Sequence, residues 1–271
     1  MTPPLMPVPE PVRRRLSGSP LVVMLDVDGT LSPIASRPQD ALVPPETRRA
    51  VAALATRTGV HVVLVSGRAA HDARRIVSVA NVWVIGNHGY EVLSPEGEEI
   101  ANAEMLIHRE TVGQAAQRLA TQVAPVKGVI FEDKGWTLSI HYRLADPAVL
   151  PRLRSTVEAI AHPLGLHVTE GKKVLEVRPP ARVDKGTAVV ALAMRLGALS
   201  ENGACIFLGD DRTDEDAFRA LRLRSAEAVT VRVTSDSPLA TAAEFSIRDP
   251  YEVQEFLAWL ANTRVVARRF G

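Results

Sequence analysis

The sequence predicts an α/β fold in which a doubly wound parallel sheet forms the core and a smaller α+β module is inserted into it. Short apolar runs alternate with helical patterns over roughly the first hundred residues, which is typical of parallel strands buried on both faces. The order then changes to helix, strand, strand, and this order occurs twice, as in a small antiparallel sheet covered by helices. We therefore predict a flexible N-terminal tail (1–20), a core (21–106 and 181–271) and an inserted module (107–180).

The composition indicates a globular chain with no strong electrostatic preference for a partner. Hydrophobic residues make up 46% of the 271 residues, which is enough for a sizeable core. The formal net charge is +1, so nothing attracts the whole chain to nucleic acid or to an anionic membrane. No apolar stretch reaches the roughly 18 residues that a membrane span requires. The single cysteine, Cys205, excludes an internal disulfide and favours a cytoplasmic location.

The first strand of the core is the run from Leu21 to Leu25, which has no polar interruption and is followed by Asp26 and Asp28. In open α/β sheets, ligands collect outside the carboxyl ends of the strands. Gly29 lets the backbone turn, so both carboxylates can face one metal ion or one phosphate. On these residues alone, a binding site and an ordinary polar turn after a core strand are equally good interpretations.

The second and third strands end in similar polar turns. The second strand, residues 61–65, stops at Ser66-Gly67-Arg68. A hydroxyl, a glycine and an adjacent helix start suit phosphate binding, although an ordinary turn fits the same residues. The third strand, residues 82–85, ends at Gly86-Asn87-His88-Gly89, where His88 either contacts substrate or shapes the loop.

The inserted module combines two helices, 107–123 and 147–161, with four short strands. Strand alternation places polar residues of its strands on common faces: Thr137, Ser139, His141 and Arg143 in one strand, and Lys172 and Glu176 in another. If this polar face looks at the core, Arg143, Lys172 and Glu176 can hold a polyhydroxylated ligand by charge-assisted hydrogen bonds. If it looks at water, the same residues form a solvated face.

The chain returns to the core with a helix that begins near Lys185, which places this cation at a positive helix start where an anion is favoured. The next strand, 204–208, is followed by Asp210, Asp211 and Asp214. These acids suit both metal ligation and helix capping, and some of them must be ordinary helix caps. A strand over 229–233, a short strand over 244–247 and a helix over 250–261 complete the core.

Taken together, these stretches resemble the motifs of the haloacid dehalogenase-like (HAD) superfamily. The motifs correspond in order to Asp26-Val27-Asp28-Gly29-Thr30, Ser66, Lys185, and Gly209-Asp210-Asp211 with Asp214. Over residues 20–262 the chain is more closely similar to trehalose-6-phosphate phosphatases, in the blocks Val65–Arg68, Gly86–Gly89, Gly171–Pro179 and Gly209–Asp216. The resemblance implies a Rossmann-like HAD core with a cap domain for sugar recognition.

The resemblance also implies a phosphatase that releases inorganic phosphate from trehalose 6-phosphate, with a sugar phosphate as partner and Mg²⁺ as cofactor. In that interpretation Asp26 is the nucleophile and Asp28 the general acid and base. The implied Mg²⁺ ligands are Asp26, the Asp28 carbonyl and Asp210, supported by Asp211 or Asp214. Phosphate binding is expected from Thr30, Ser66, Gly67 and Lys185. Sugar binding is expected from Glu170, Lys172 and Glu176, with Arg143 and His88 as additions.

Three alternatives stay open beside this hypothesis. Another sugar-phosphate phosphatase of the superfamily, acting on sucrose phosphate or mannosyl-3-phosphoglycerate, would differ in its cap. A mutase or phosphotransferase would need a second phosphate site, which nothing in the sequence indicates. A non-catalytic sugar-phosphate sensor would need no nucleophile and acid together, so the presence of both Asp26 and Asp28 argues against it.

Overall fold

The computed structural model divides the chain into two compact units. One, the core unit, comprises Met1–Ile100 and Val183–Gly271, and the other, the cap unit, comprises Ala101–Arg182. The structure describes residues 2–35, 37–100, 103–171, 173–180, 183–234 and 240–266. The predicted insertion, 107–180, falls inside the cap unit.

The secondary structure of the described residues follows in chain order. The strands are β1 Leu21–Asp26, β2 Val60–Val65, β3 Val82–Gly86, β4 Glu91–Leu93, β5 Ile130–Asp133, β6 Leu138–His141, β7 His167–Gly171, β8 Val174–Arg178, β9 Ala204–Gly209, β10 Val229–Val233 and β11 Phe245–Ile247. The helices are α1 Glu10–Arg15, α2 Pro45–Ala55, α3 Ala70–Val77, α4 Ala103–Val123, α5 Leu150–Ala161, α6 Lys185–Arg195, α7 Asp214–Arg224 and α8 Pro250–Val266. Among the described residues, no helix combines the length and the apolar character that crossing a bilayer requires.

The core unit is organised around β1, the central strand of a seven-stranded sheet with the order β11-β10-β9-β1-β2-β3-β4. All neighbouring pairs are parallel except β3 with β4. Every residue of β1 is buried, because separate apolar clusters pack on the two faces of the sheet. The predicted doubly wound parallel sheet is confirmed, and its parallel strands bring the carboxyl ends of β1, β2 and β9 to one edge.

The cap unit contains a four-stranded antiparallel sheet with the order β5-β6-β8-β7. Leu138, Ile140, Leu175 and Val177 project from one face of this sheet and pack with apolar residues of α4 and α5. This arrangement confirms the predicted α+β module with two helix-strand-strand repeats. Its second face carries the polar residues of β6 and β8.

The N-terminal segment is part of the core unit, so the prediction of a flexible tail over 1–20 is wrong. Leu5, Val8, Val12 and Leu16 are all buried, and they join the apolar cluster on one face of the core sheet. The Leu5 N–H donates to the Ser246 carbonyl at 2.8 Å, which pairs the segment with β11. The prolines and the basic run in this segment are typical of an exposed tail, so composition gave no sign that its apolar residues are buried.

Candidate active site

Lys185 joins the two groups of acids that the sequence places at strand ends. It begins α6 and is 2% exposed. Its Nζ donates to Asp26 Oδ1 at 2.8 Å and to Asp214 Oδ1 at 2.9 Å. The preceding Asp184 caps α6 by accepting the Thr187 N–H at 2.7 Å, which fixes where the helix starts. The structure thus brings the end of β1, the start of α6 and the loop after β9 together around one buried cation.

The loop after β9 is folded around two of its own carboxylates. Asp214 Oδ2 accepts the backbone N–H groups of Asp210 and Asp211, both at 3.0 Å. Asp211 Oδ1 accepts the N–H groups of Thr213 at 2.8 Å and Asp214 at 3.0 Å. A Cβ at Gly209 would overlap the Asp214 side chain, so glycine is required there. Asp211 thus accepts the first N–H of α7, as expected of a helix cap among these acids, whereas Asp214 accepts the N–H groups of the loop before the helix.

Asp210 is the acid of this loop that faces the β1 turn. Its Oδ1 is buried and has no hydrogen-bond partner among the described residues. The Asp210 carboxylate also occupies the space that a Cβ on Gly29 would need, and Gly29 has a φ of 90°. A residue with a side chain would meet both backbone strain and a steric clash at this position. Gly29 thus permits the turn after β1 and the approach of Asp210 to it.

The acids around Lys185 fit a hard divalent cation. Carboxylate oxygens of Asp26, Asp210 and Asp214 all lie within 4.8 Å of one another. Mg²⁺ prefers oxygen ligands and usually takes one or two carboxylates in proteins. The unpartnered Oδ1 of Asp210 offers a ligand atom that no hydrogen bond within the described chain already uses. The residues present therefore suit Mg²⁺, with Asp26 and Asp210 as the better placed ligands, because both Asp214 oxygens already accept hydrogen bonds.

Burial and mutual repulsion shift the pKa values of these carboxyl groups. Burial raises the pKa of Asp26 to about 7, against the attraction of Lys185. Burial also raises the pKa of Asp210 to about 7, with repulsion from Asp214 and Asp211 acting in the same direction. For Asp211, burial alone would raise the pKa, but Lys185 and hydrogen bonds outweigh it and lower the pKa to about 2. A bound cation would relieve the repulsion among these groups.

Asp28 has a different environment from Asp26. Arg68 donates from Nε to Asp28 Oδ2 and from Nη2 to Asp28 Oδ1, both at 2.6 Å. This bidentate pair is partly exposed, with 38% of the Asp28 side chain accessible. Arg68 was not among the predicted site residues, although it directly follows Ser66-Gly67 in a stretch that the sequence analysis singled out. A basic residue two positions after the predicted phosphate-binding hydroxyl was the available signal.

The loop of Gly86–Gly89 supports the predicted phosphate loop. The Asn87 N–H donates to the Arg68 carbonyl at 2.6 Å, and the His88 N–H donates to the Ser66 carbonyl at 3.1 Å. The His88 ring also lies against Gly67, where a Cβ would come within 2.5 Å of it. These contacts favour the loop-shaping role of His88 over the substrate contact that the sequence left open.

Two hydroxyl groups complete this edge of the core unit. Ser66 is 1% exposed, and its Oγ accepts the Arg68 N–H at 3.1 Å. Thr30 is fully buried, and its Oγ1 has no hydrogen-bond partner among the described residues. A buried hydroxyl without a partner is costly unless a ligand or water satisfies it. Thr30 is therefore suited to donate to a bound phosphate, as its place in the first motif implies.

In the cap unit, the structure separates two of the predicted sugar-binding acids. Glu176 is directly opposite Ser139 on the face of the sheet away from the helices, and it pairs with Arg178. Glu170 is opposite Leu175 and so shares the face that the helices cover. It accepts hydrogen bonds from Tyr142 and from Arg154 of α5. The predicted sugar site contains both Glu170 and Glu176, but the registers of β7 and β8 place them on opposite faces of the sheet.

The structure says less about the two basic residues predicted for the sugar site. Arg143 is exposed and lies two residues beyond the end of β6 at His141. Lys172 lies outside the described residues. Glu170 and Glu176 are thus the predicted sugar-binding residues that the structure describes within the sheet, and of these two Glu176 is on the polar face.

Comparison with known proteins relates this constellation to one family. A family model described as trehalose-phosphatase matches residues 24–250. A probable trehalose-phosphate phosphatase of Oryza sativa is 33% identical over 273 residues, covering 94% of this chain and 73% of that protein. An uncharacterized glycosyl hydrolase of Mycobacterium tuberculosis is 37% identical over 254 residues, covering 92% of this chain. The chain spans only 19% of the length of that mycobacterial relative.

A solved structure extends the similarity to the fold. The structure of a trehalose-6-phosphate phosphatase related protein superposes with a TM-score of 0.76 at 26% sequence identity. The match covers 91% of this chain and 99% of the solved chain. Both units of the fold described above are therefore included in the similarity.

Proposed function

We propose that this chain, which belongs to the trehalose-phosphatase family, hydrolyses trehalose 6-phosphate to trehalose and inorganic phosphate. The observation that carries the proposal is the buried Lys185, which bridges Asp26 and Asp214 at the carboxyl edge of the sheet. A buried cation between carboxylates suits the binding of a phosphoryl group together with a metal ion. Thr30 Oγ1 and Asp210 Oδ1, which have no hydrogen-bond partner among the described residues, would be available to the phosphate and to the metal. The name of the rice relative, a probable trehalose-phosphate phosphatase, supports trehalose as the sugar.

The reaction would begin with attack of Asp26 on the phosphorus. A bond forms between an Asp26 oxygen and phosphorus, and the bond from phosphorus to the sugar oxygen breaks. Asp28 supplies the proton that the departing sugar oxygen takes up. Asp28 then accepts a proton from water, which attacks the aspartyl-phosphate and releases inorganic phosphate and the Asp26 carboxylate.

The surrounding groups would bind and orient the phosphoryl group. Lys185 neutralises negative charge next to Asp26, and Ser66, Thr30 and the Gly67 N–H donate to phosphate oxygens. Asp26, the Asp28 carbonyl and Asp210 would hold Mg²⁺, which when bound neutralises the phosphate charge and lets the dianion approach a carboxylate nucleophile. Asp211 and Asp214 would support these ligands through the hydrogen bonds of their loop.

The pairing of Asp28 with Arg68 imposes one condition on this mechanism. Both Asp28 oxygens accept from Arg68, so one of them must be released before the carboxyl group can carry a transferable proton. An incoming phosphate dianion is a competing anion for the same guanidinium. In this proposal, substrate arrival draws Arg68 toward phosphate and frees Asp28 for acid catalysis.

Sugar recognition is assigned to the polar face of the cap unit. Glu176, with Arg143 and Lys172, would bind hydroxyl groups of the disaccharide by charge-assisted hydrogen bonds. Glu170 would stabilise the cap unit rather than contact the sugar, because it accepts hydrogen bonds from Tyr142 and Arg154. A cytoplasmic location stays a prediction, drawn from the single buried Cys205.

A substrate panel tests the proposal. Phosphate release would be measured with trehalose 6-phosphate, sucrose phosphate, mannosyl-3-phosphoglycerate and glucose 6-phosphate, each with Mg²⁺ and with EDTA. We expect trehalose 6-phosphate to have a kcat/KM at least tenfold above the others and EDTA to abolish turnover. Equal or better turnover of several unrelated sugar phosphates would contradict the substrate, and full activity in EDTA would contradict the metal. Binding of trehalose 6-phosphate without any phosphate release would favour the sensor alternative.

A further inference from the structure

The acidic loop after β9 continues directly into an ion pair that the proposed reaction does not use. Glu215 follows Asp214 in the first turn of α7, and its Oε1 accepts from Arg232 Nη1 of β10 at 2.7 Å. Both side chains are largely shielded from water, with 8% of Glu215 and 15% of Arg232 exposed. Burying two charges is expensive unless each is fully paired. Because Glu215 directly follows Asp214, the pair lies next to the predicted metal ligands in the chain.

Glu215 is held from two further directions. Thr241 Oγ1 donates to Glu215 Oε1 at 2.7 Å, and the Ala242 N–H donates to Oε2 at 2.7 Å. Thr241 in turn accepts the Ala243 N–H at 3.0 Å. The carboxylate thus fixes the start of α7 to β10 and to the segment that leads into β11. Its position is set by three separate donors, so it can hold Arg232 in one place.

Arg232 reaches from this anchor to the acidic loop. The same Nη1 that bonds Glu215 makes a longer hydrogen bond of 3.4 Å to the backbone carbonyl of Asp211. Asp211 directly follows Asp210, so this contact places the guanidinium one residue from the carboxylate that has a buried oxygen without a partner among the described residues. A positive charge in this position acts on any cation that the carboxylate holds.

We propose that Glu215 is a positioning residue for the metal site, acting through Arg232. It anchors Arg232 against the Asp211 carbonyl and cancels a positive charge that would otherwise oppose a divalent cation at Asp26 and Asp210. This inference rests on the Mg²⁺ dependence proposed above. Without the Glu215 charge, the site would have to bind Mg²⁺ next to an uncompensated guanidinium. Without both charges, the electrostatic balance at the site is restored.

Magnesium titration of the full chain, without substrate, tests the inference. Isothermal titration calorimetry with MgCl₂ would compare the unmodified chain with Glu215→Gln, Arg232→Gln and the double variant. Asp216→Asn is the matched control, because it removes the same charge from the next residue of α7, where Asp216 forms an exposed pair with Arg219. Circular dichroism of each variant would report folding.

Charge compensation between Glu215 and Arg232 predicts one particular order of Mg²⁺ affinities among the variants. Glu215→Gln should raise the Kd for Mg²⁺ on the order of tenfold, as one added charge near a partly buried site implies. The double variant should return to within about threefold of the unmodified chain, which is well short of the tenfold loss. Arg232→Gln should bind at least as tightly as the double variant, and Asp216→Asn should match the unmodified chain.

Several outcomes would overturn the inference. Unchanged Mg²⁺ affinity in Glu215→Gln would mean that the pair has no influence on the site. A double variant as weak as Glu215→Gln would mean that the pair is only structural. If Glu215→Gln does not fold, the inference is tested by comparing the Mg²⁺ affinity of Arg232→Gln with that of the double variant. Weaker Mg²⁺ binding by Arg232→Gln than by the double variant would reject the inference. If the unmodified chain binds no Mg²⁺, the metal proposal itself fails and this inference fails with it.

Discussion

The two units of the molecule differ in how deeply their predicted site residues are buried. In the core unit, Lys185 and Asp26 lie at the carboxyl edge of a buried sheet, and their side chains are only 2% and 6% exposed. In the cap unit, Glu170 and Glu176 are more open to solvent, and each pairs with an arginine of its own unit. A buried charge requires all its partners, whereas an exposed pair contributes little to stability.

Because of this difference in burial, substitutions in the two units should have different effects. We expect a substitution at the core edge to alter the proposed reaction and the balance of buried charges together. We expect a substitution on the polar face of the cap to alter the proposed contacts to the sugar while leaving the apolar packing of β6 and β8 against the helices intact. We therefore expect the core to set the reaction type and the cap to set the choice of sugar. The following predictions test that separation.

The largest effect is expected from Asp26→Asn. The amide cannot act as the carboxylate nucleophile, so turnover should fall by about four orders of magnitude or more, within the usual range of a covalent mechanism. Because one charge leaves a crowded acidic cluster, the fold should persist. Phosphate release and circular dichroism would be measured beside Asp72→Asn, which removes an exposed acid paired with Arg75. Substantial turnover by Asp26→Asn would contradict the covalent step.

Lys185→Met should damage chemistry and stability together. Its removal leaves Asp26 and Asp214 buried without their shared cation, which typically costs about 3 kcal/mol or more in the free energy of unfolding. Activity should also be lost, because charge on the phosphoryl group is no longer balanced. Urea denaturation without metal would measure the first effect and phosphate release the second. A variant as stable as the unmodified chain would show that the buried bridge is not essential to the core.

Glu176→Gln should affect the choice of substrate more than the reaction. We expect kcat/KM for trehalose 6-phosphate to fall about tenfold, since one charge-assisted hydrogen bond is weakened. Turnover of p-nitrophenyl phosphate, which has no sugar, should change by less than about twofold.

Glu170→Gln is the informative comparison for Glu176→Gln. Because Glu170 accepts a hydrogen bond from the buried Tyr142 on the helix-covered face, its variant should lower the melting temperature of the chain without changing the preference among sugar phosphates. If both substrates fell equally in Glu176→Gln, that residue would belong to folding or to the core reaction. If Glu170→Gln changed the preference as strongly as Glu176→Gln, the separation by sheet face would be wrong.

The smallest effect is a dependence of metal-free stability on pH. Burial raises the pKa of Asp26 and of Asp210 to about 7, whereas the unfolded values lie near about 4. Between these values the folded chain binds protons that the unfolded chain does not, so stability falls as the pH rises. In EDTA, the melting temperature at pH 7.5 should be about 5 °C below that at pH 5.0.

Mg²⁺ should reverse this trend, because it replaces the protons on the same carboxylates. The stabilisation by Mg²⁺ should be larger at pH 7.5 than at pH 5.0, and Asp210→Asn should reduce both the slope in EDTA and the response to Mg²⁺. The lowered pKa of Asp211, at about 2, acts only below this window. A metal-free melting temperature that rises from pH 5.0 to 7.5 would contradict the raised pKa values.

The candidate active-site edge of the core could be predicted from sequence because its signal is local. An uninterrupted apolar run followed at once by Asp26 and Asp28 already specifies a buried strand and a polar end. The division of labour among Asp210, Asp211 and Asp214 could not be predicted. Spacing alone does not say which carboxylate accepts its own loop's N–H groups and which is left for a ligand.

Other features depended on contacts that sequence does not reveal. The face of Glu170 is set by the register of β7 on β8, and a shift by one residue moves a side chain to the other face. The pairing of Arg68 with Asp28 joins residues 40 positions apart. The pair of Glu215 and Arg232 likewise joins α7 to β10. A glutamate at the start of a helix and an arginine in a strand are both ordinary, so nothing in the sequence indicates the pair.

The N-terminal segment has a consequence for any shortened version of this chain. Residues 3 to 5 run beside β11 and satisfy Ser246 in both directions, since the Ser246 N–H donates to the Pro3 carbonyl at 2.9 Å. A chain begun at Leu21 would expose this sheet margin and the apolar surface under Leu5 and Val12. Open strand margins recruit other chains and start aggregation. We therefore expect removal of residues 1–20 to appear first as a loss of monodispersity in size-exclusion chromatography.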